Sequence, residues 1–445
     1  MQGSVGSTYT IDPGLAVSLL LLPLAHAHGM WGHVHVSGWA VENLPDDELR
    51  DFLLEPEVFN ALVFGAAFTD TGYVNSEGPS RSYSEATHWE PFVEDFIQWI
   101  RVNDPPPWDD LASRKRVAFL MGCASHGLQD TLFDSLFLHQ VSEQDGEWQE
   151  KADPGTDGFL VLDDHLRFVP ETDLPMEALL ELYADVDPSI TAEVIEEAVG
   201  LVTAAYINDD VGPELAAFMG ELYEDDIPWT RAHYLDQDVP ASLRAEIYPT
   251  TRYLEAIWAR LHGEFDADDV VTFAYPESPR RLASHEASSA ASWVGLVFGA
   301  GVAYEDGLTE LVDADGTAVP FTQANTQWNA ADTRLVKLHP DEDLEPGGWY
   351  TVRLKSGAML IDGQQTTQPW ELSFQVDCLD EDEADCPDLE LDEASIDGLP
   401  EDEDEDTGDG SPASGCGCGG PGPATPWMAL ALAALVRRRR RVEPS

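Results

Sequence analysis

Basic residues are scarce in this chain: 23 Lys and Arg stand against 84 Asp and Glu in 445 residues, a formal net charge of −61. Charge of that sign argues against nucleic acid and anionic membrane surfaces as partners of the folded part, because repulsion is long-ranged at low salt. It suits a chain that stays soluble outside the cell or gathers cations, although solvation alone accounts for most of it. Cysteine is also sparse. Of the five, Cys416 and Cys418 lie near the C-terminus, and Cys378 and Cys386 bracket a short acidic loop where an oxidising compartment would allow a local disulfide. Cys123 sits in an apolar segment as a packed core residue, and none of the five has zinc-finger spacing. The two ends each carry one short apolar run, Leu15–Leu24 and Trp427–Val436.

Both ends read as addresses. The run Leu15-Ala-Val-Ser-Leu-Leu-Leu-Leu-Pro-Leu24 followed by Ala25-His-Ala27 is a signal-peptide h-region and an A-x-A cleavage site, which predicts export and a mature start at His28. Residues 1–14 depart from the pattern, with no Lys or Arg and with Asp12. The other end reads Gly415-Cys416-Gly-Cys418-Gly-Gly, then the apolar Trp427–Val436, then Arg437 to Arg441. An Arg cluster stays on the cytoplasmic side of a membrane, and the apolar run is short for a stable span. In that order the three parts resemble the myxobacterial C-terminal sorting signal. The resemblance implies a hydrophobic helix that is cut near the Cys, with delivery to the cell surface or outer membrane and membrane contact through the tail before processing. A plain single-pass anchor is the alternative.

Between these ends the texture changes once. From residue 28 to about 275 helix-period runs dominate, at Asp46–Phe68, Trp89–Val102, Leu111–Leu138, Met176–Ala205, Pro213–Tyr223 and Ala241–Leu261, with breakers at Pro105-Pro-Pro107 and Asp153-Pro-Gly155. This predicts an all-α domain. From 276 to 378 short β-branched or aromatic runs take over, at Val294–Phe298, Thr333–Leu338, Trp349–Leu354 and Trp370–Val376. They predict a small all-β sandwich. Leu344-Glu-Pro-Gly-Gly-Trp-Tyr-Thr-Val-Arg-Leu354 with Asp362-Gly363 resembles bacterial Ig-like modules of surface proteins. Residues 379–415 are dominated by Asp and Glu, cannot form a core and predict an extended acidic linker. Residues 416–445 form the sorting tail, and residues 1–27 the signal peptide.

The segment Ala118-Phe-Leu-Met-Gly-Cys-Ala-Ser-His126-Gly-Leu-Gln-Asp130-Thr-Leu-Phe-Asp134 carries the most chemistry. Its apolar residues recur at helical spacing, and His126, Asp130 and Asp134 fall four apart on one stripe. An imidazole and two carboxylates buried among Phe119, Leu120, Met121, Leu128 and Phe133 need a partner, and a divalent metal ion is the natural one. A polar stripe facing water is the alternative. Other candidate ligands lie nearby in sequence: His33, Asp70 in Gly65-Ala-Ala-Phe-Thr-Asp70, His88 in Ser84-Glu-Ala-Thr-His88-Trp-Glu-Pro-Phe92, and the pair Asp153 and Asp157. In a Pro- and Gly-containing stretch such Asp residues also cap turns. His35 reads as a loop histidine.

Taken together, Ser-Glu-Ala-Thr-His-Trp-Glu-Pro-Phe and Phe-Leu-Met-Gly-Cys-Ala-Ser-His-Gly-Leu-Gln-Asp resemble the zinc-dependent phospholipase C family, particularly its glycosylphosphatidylinositol-specific phospholipase D branch. The resemblance covers roughly residues 28–170 and weakly the helices to 275. It implies an all-α bundle holding up to three zinc ions that polarise a phosphodiester and activate water. It makes His33, Asp70, His88, His126 and Asp130 metal ligands, with Asp70 also the catalytic base. Asp134 and Asp153 fall where the family has His, and Asp157 where it has a carboxylate. The mature N-terminal amine is a ligand in some members, which would bring His28 or Trp31 to the site.

Carboxylate in place of imidazole makes a site harder and more negative, which favours calcium or manganese over zinc and lowers Lewis acidity. Two functions follow as expectations. One is a secreted, surface-displayed, monomeric metal-dependent phosphodiesterase acting on phospholipids or related phosphodiesters. The other is a catalytically degenerate metal-binding surface protein whose β module is a spacer. A nuclease is disfavoured by the negative charge.

Overall fold

The computed structural model describes residues 29–377, apart from 76, 208–210, 277–280, 304, 306 and 326–332. The expected signal peptide, His28, the Cys378–Cys386 pairing, the acidic linker and the sorting tail with its hydrophobic helix lie outside the described residues.

Among the described residues, thirteen α-helices fill the first part. They are α1 (Met30–Glu42), α2 (Glu48–Leu53), α3 (Pro56–Phe68), α4 (Pro79–Thr87), α5 (Glu90–Asn103), α6 (Leu111–Leu132), α7 (Leu138–Gln144), α8 (Gln149–Leu162), α9 (Met176–Tyr183), α10 (Ala192–Val202), α11 (Gly212–Tyr223), α12 (Pro228–His233) and α13 (Ile247–His262). Local chemistry sets several starts. Pro occupies the first turn of α3, α4 and α5, where its missing N–H costs nothing. Asp47 and Asp110 cap α2 and α6 by accepting first-turn N–H groups, Asp110 from Ser113 at 3.0 Å. A π-helical turn over Phe133–Phe137 joins α6 to α7. Such turns insert a residue into the helical ladder and recur at functional sites.

The central helix α6 is buried along nearly its whole length and packs closely on α3. A Cβ on Gly122 would lie 2.0 Å from the Leu62 carbonyl oxygen, and one on Gly65 2.3 Å from that of Phe119. Two glycines facing each other therefore let the two backbones touch. A second such contact joins α8 and α11, where a Cβ on Gly158 would lie 2.3 Å from the Gly220 nitrogen. This corrects the reading of Asp153-Pro-Gly155 as a breaker. The helix α8 runs through Pro154 because tertiary packing against α11 overrides the local signal.

The second part contains two sheets. The strands are β1 (Val271–Tyr275), β2 (Arg281–Leu282), β3 (Val294–Ala303), β4 (Thr309–Asp313), β5 (Phe321–Asn325), β6 (Thr333–Pro340), β7 (Trp349–Leu354), β8 (Met359–Leu360) and β9 (Trp370–Val376). One sheet runs β1-β3-β6-β5, with β8 also on β3, and the other runs β2-β9-β7-β4. All pairings are antiparallel except β2 on β9. Val294, Leu296, Phe298, Val336 and Leu338 of the first sheet share a core with Leu311, Val352, Leu354, Phe374 and Val376 of the second.

The expected architecture of an all-α domain followed by a separate small all-β Ig-like sandwich is not what forms. Strand β1 begins inside the stretch read as helical, and Phe273, Tyr275, Val297 and Leu335 belong to the same buried core as the helices. Helix period cannot reveal that a strand will be buried against helices on one side and strands on the other. The result is an α and β molecule, about half helical, with a continuous apolar junction between the two parts. Among the described residues no helix is long and apolar enough to cross a membrane.

Candidate metal centre

Three histidines and two aspartates converge at the middle of α6. His126 and Asp130 lie one turn apart on that helix, as the stripe predicts. The end of α3 supplies Asp70, the residue after α4 supplies His88, and α1 supplies His33. Asp130 is the hub: one oxygen is 3.0 Å from His33 Nε2, and the other is 3.1 Å from His88 Nε2 and 3.4 Å from His126 Nε2. Asp70 Oδ1 lies 3.3 Å from His88 Nε2 and 3.6 Å from His126 Nε2. The His33 and His126 rings stack at 3.6 Å between centroids.

The opposite ring nitrogens fix the tautomers. His126 Nδ1 is 2.6 Å from the Ala66 carbonyl and His88 Nδ1 is 2.7 Å from that of Ser84. Both Nδ1 atoms can only be protonated donors there, which leaves the Nε2 atoms as the ones that face the carboxylates. His33 Nδ1 sits 2.9 Å from Gln129 Oε1, and the Gln129 amide is held by Ser37 Oγ at 3.0 Å. Outer hydrogen bonds of this kind orient imidazoles toward a metal. His88 Nε2 and His126 Nε2 are 3.2 Å apart, a spacing at which one donates a proton to the other or both face a bound cation. The sets His33–His126–Asp130 and Asp70–His88–His126 each place their donor atoms within 4.8 Å of one another, so the residues present fit divalent ions.

The field in the site is strongly negative. Burial works against a charged His88, yet hydrogen bonds and charges from Asp130 and Asp70 push its pKa up to about 10. His33 is raised in spite of its burial by the charge of Asp130, whereas burial and the charge of His33 lower His126. Asp153, 1% exposed, has both carboxylate oxygens without a hydrogen-bond partner among the described residues. Burial first, then the charges of Asp134 and Asp130, push its carboxyl well above the usual range, and Asp134 is raised by burial and Asp130. Buried carboxyls of this kind hold either a proton or a cation.

Asp157 is placed differently. Its oxygens accept the Trp31 and Gly32 N–H groups at 3.1 and 2.8 Å, capping the start of α1, and burial raises its pKa to about 7. His35 is not in a loop but on α1, with Nδ1 donating to the Trp31 carbonyl at 2.8 Å and Nε2 accepting from Arg167 N at 2.8 Å. Sequence reasoning missed Glu246, fully buried just before α13 and raised by burial and by the charges of Asp130 and Asp134. No motif marks it, since it lies more than 100 residues from the stripe. Gln129 was legible in principle: it is one position from Asp130 and is an uncharged polar residue in an apolar run.

A helical scaffold with convergent imidazoles and carboxylates defines a candidate polynuclear metal site of the hydrolytic kind. Comparison adds a partial likeness. Over 141 residues, 30% of this chain, it is 33% identical to phosphatidylinositol-glycan-specific phospholipase D of Bos taurus, covering 16% of that protein. The Homo sapiens protein of the same name is 34% identical over 143 residues, again 30% of this chain and 16% of the relative. That of Dictyostelium discoideum is 35% identical over 80 residues, 18% of this chain and 8% of the relative. The chain thus spans about a sixth of the mammalian relatives' length, and part of it is a region similar to these enzymes. No family model matches. Among solved structures, CopC from Methylosinus trichosporium OB3b is 24% identical over 24% of this chain and 90% of that one, with a TM-score of 0.18. The N-terminal part of the S-layer protein SbsC is 9% identical over 82% of this chain and 79% of that one, with a TM-score of 0.19. Scores that low carry no argument.

Proposed function

We propose that this chain is an exported, monomeric, metal-dependent phosphodiesterase that hydrolyses phospholipids or lipid-anchored phosphate esters at the cell surface. The observation that carries the reading is the convergence of the His33, His88 and His126 Nε2 atoms on Asp70 and Asp130. Likeness to phosphatidylinositol-glycan-specific phospholipases D supports the substrate class. His33, Asp70, His88, His126 and Asp130 would hold zinc. Asp134, Asp153 and, at the edge, Asp157 would make a harder side suited to zinc, calcium or manganese, up to three ions in all.

When bound, such ions supply Lewis-acid activation of water and of the phosphodiester near neutral pH. The chain's own contribution is positional. The Ala66 and Ser84 carbonyls and Gln129 lock the three imidazoles. Asp70, 6% exposed where α3 ends, takes the proton of the attacking water on its carboxylate. The Tyr73 and Trp89 rings stand beside the His88 imidazole, at 5.4 and 6.5 Å between centroids. The carboxylates of Asp134 and Asp153 favour a second reading, a metal-binding surface protein without turnover.

The test is turnover of a chromogenic phosphodiester by the full chain before and after chelation. Chelator-sensitive turnover that is lost in His126→Ala supports the enzyme. Bound metal with no turnover of any phosphodiester leaves the second reading.

A further inference from the structure

We infer that strand β6 is part of the metal centre's outer shell, and that Arg334 is a positioning residue for His88. The inference rests on the proposed metal site and gives the β part a role other than spacing.

Strand β6 reaches the helices at two points flanking the site. Arg334, 3% exposed, donates from Nε to Glu90 Oε2 at 2.7 Å and from Nη1 to the His88 carbonyl at 3.0 Å. Its guanidinium therefore ties the peptide of a candidate ligand to the first turn of α5. Space there is already full: a Cβ on Gly127 would lie 2.3 Å from the His88 carbonyl oxygen and 2.4 Å from Arg334 Nη1. Three positions on, Lys337 donates from Nζ to the Ser135 carbonyl at 3.0 Å and lies over the Trp293 ring at 4.5 Å. Ser135 follows Asp134 in the π-helical turn. One strand thus ties down the backbone beside His88 and beside Asp134, on either side of α6.

The tie is strong because it is dry and doubly charged. Glu90 also receives Arg260 Nη1 at 2.7 Å and the Tyr253 hydroxyl at 2.6 Å, and Arg260 Nη2 reaches Glu94 at 2.7 Å. Charge-assisted bonds of a planar guanidinium fix direction as well as distance, which an ammonium does not reproduce. With His88 Nδ1 held by Ser84 and its carbonyl held by Arg334, the Nε2 atom keeps one aim. Outer partners of metal ligands commonly control affinity by 10- to 100-fold.

Arg260 provides an internal control, since it shares Glu90 with Arg334 but has no recorded bond to His88. The experiment is calorimetric titration of the metal-stripped full chain with zinc alone, for wild type, Arg334→Gln, Arg334→Lys and Arg260→Gln, with melting temperatures recorded in parallel. The expected result is about a 10- to 100-fold weaker zinc affinity in Arg334→Gln, part recovery in Arg334→Lys, and an affinity within about twofold of wild type in Arg260→Gln despite a similar loss of melting temperature. If Arg334→Gln does not fold, weaker affinity in Arg334→Lys than in Arg260→Gln supports the same conclusion. Equal affinities in the Arg334 and Arg260 variants overturn the positioning role and leave the metal site standing. No zinc bound by wild type overturns the metal reading, and the inference with it.

Discussion

His88 Nε2 and His126 Nε2 face each other at 3.2 Å, each with its other nitrogen committed to a carbonyl. Around them burial and neighbouring carboxylates push the Asp134 and Asp153 carboxyls well above the usual range, so ionising them without a cation is costly. The metal-free protein is therefore under electrostatic load, and removing one carboxylate relieves it. Asp153→Asn is expected to raise the melting temperature of the chelated protein by several degrees, equivalent to about 1–3 kcal/mol, while lowering the number of ions bound. A variant that is less stable than wild type when chelated, or that binds as many ions, would contradict that assignment. The pH dependence has a definite sign. The Asp157 pKa of about 7 lies above its ordinary value, so its contribution is complete at low pH and is lost as pH rises from about 4 through 7. Chelated wild type should lose up to about 4 kcal/mol relative to Asp157→Asn between pH 4 and 8, as read by urea unfolding at each pH.

At the scale of elements, the site depends on two helices touching. Asp70 ends α3 and His126 sits on α6, and the Gly65–Gly122 contact sets their separation. Gly→Ala inside a helix ordinarily stabilises by up to about 1 kcal/mol. Here Gly122→Ala should instead destabilise by about 1–3 kcal/mol and weaken metal binding. Denaturant midpoints and zinc titration check both, and a stabilised variant would contradict the packing account. The same contrast explains what was legible in the sequence. His126 and Asp130 were readable because one helix carries both at a fixed spacing among Phe119, Met121 and Leu128. His88 and Asp70 were readable through their motifs. Pro154 and Gly155 misled because a partner helix, invisible in the local sequence, holds α8 together. Glu246, Arg334 and Lys337 were unreadable because only tertiary contact brings them to the site, and β1 was taken for helical territory because its partners arrive later in the chain.

Across the whole molecule the charge of −61 frames how a phosphodiester substrate is met. Like charge repels an anionic vesicle over a Debye length of about 10 Å at 0.1 M salt. Hydrolysis of anionic vesicles should therefore rise as ionic strength increases from 0.01 to about 0.2 M, while a small soluble phosphodiester shows little change. A fall with salt for vesicles would contradict the electrostatic picture. The buried junction between the helices and the first sheet, through Phe273, Tyr275, Val297 and Leu335, makes the described residues one cooperative body around the site. The measurement that tests the central claim most directly is the metal content of the purified full chain by inductively coupled plasma mass spectrometry, before and after chelation. The account predicts at least two divalent ions per chain, lost on chelation and regained on adding zinc. A chain that never retains a divalent ion would contradict it.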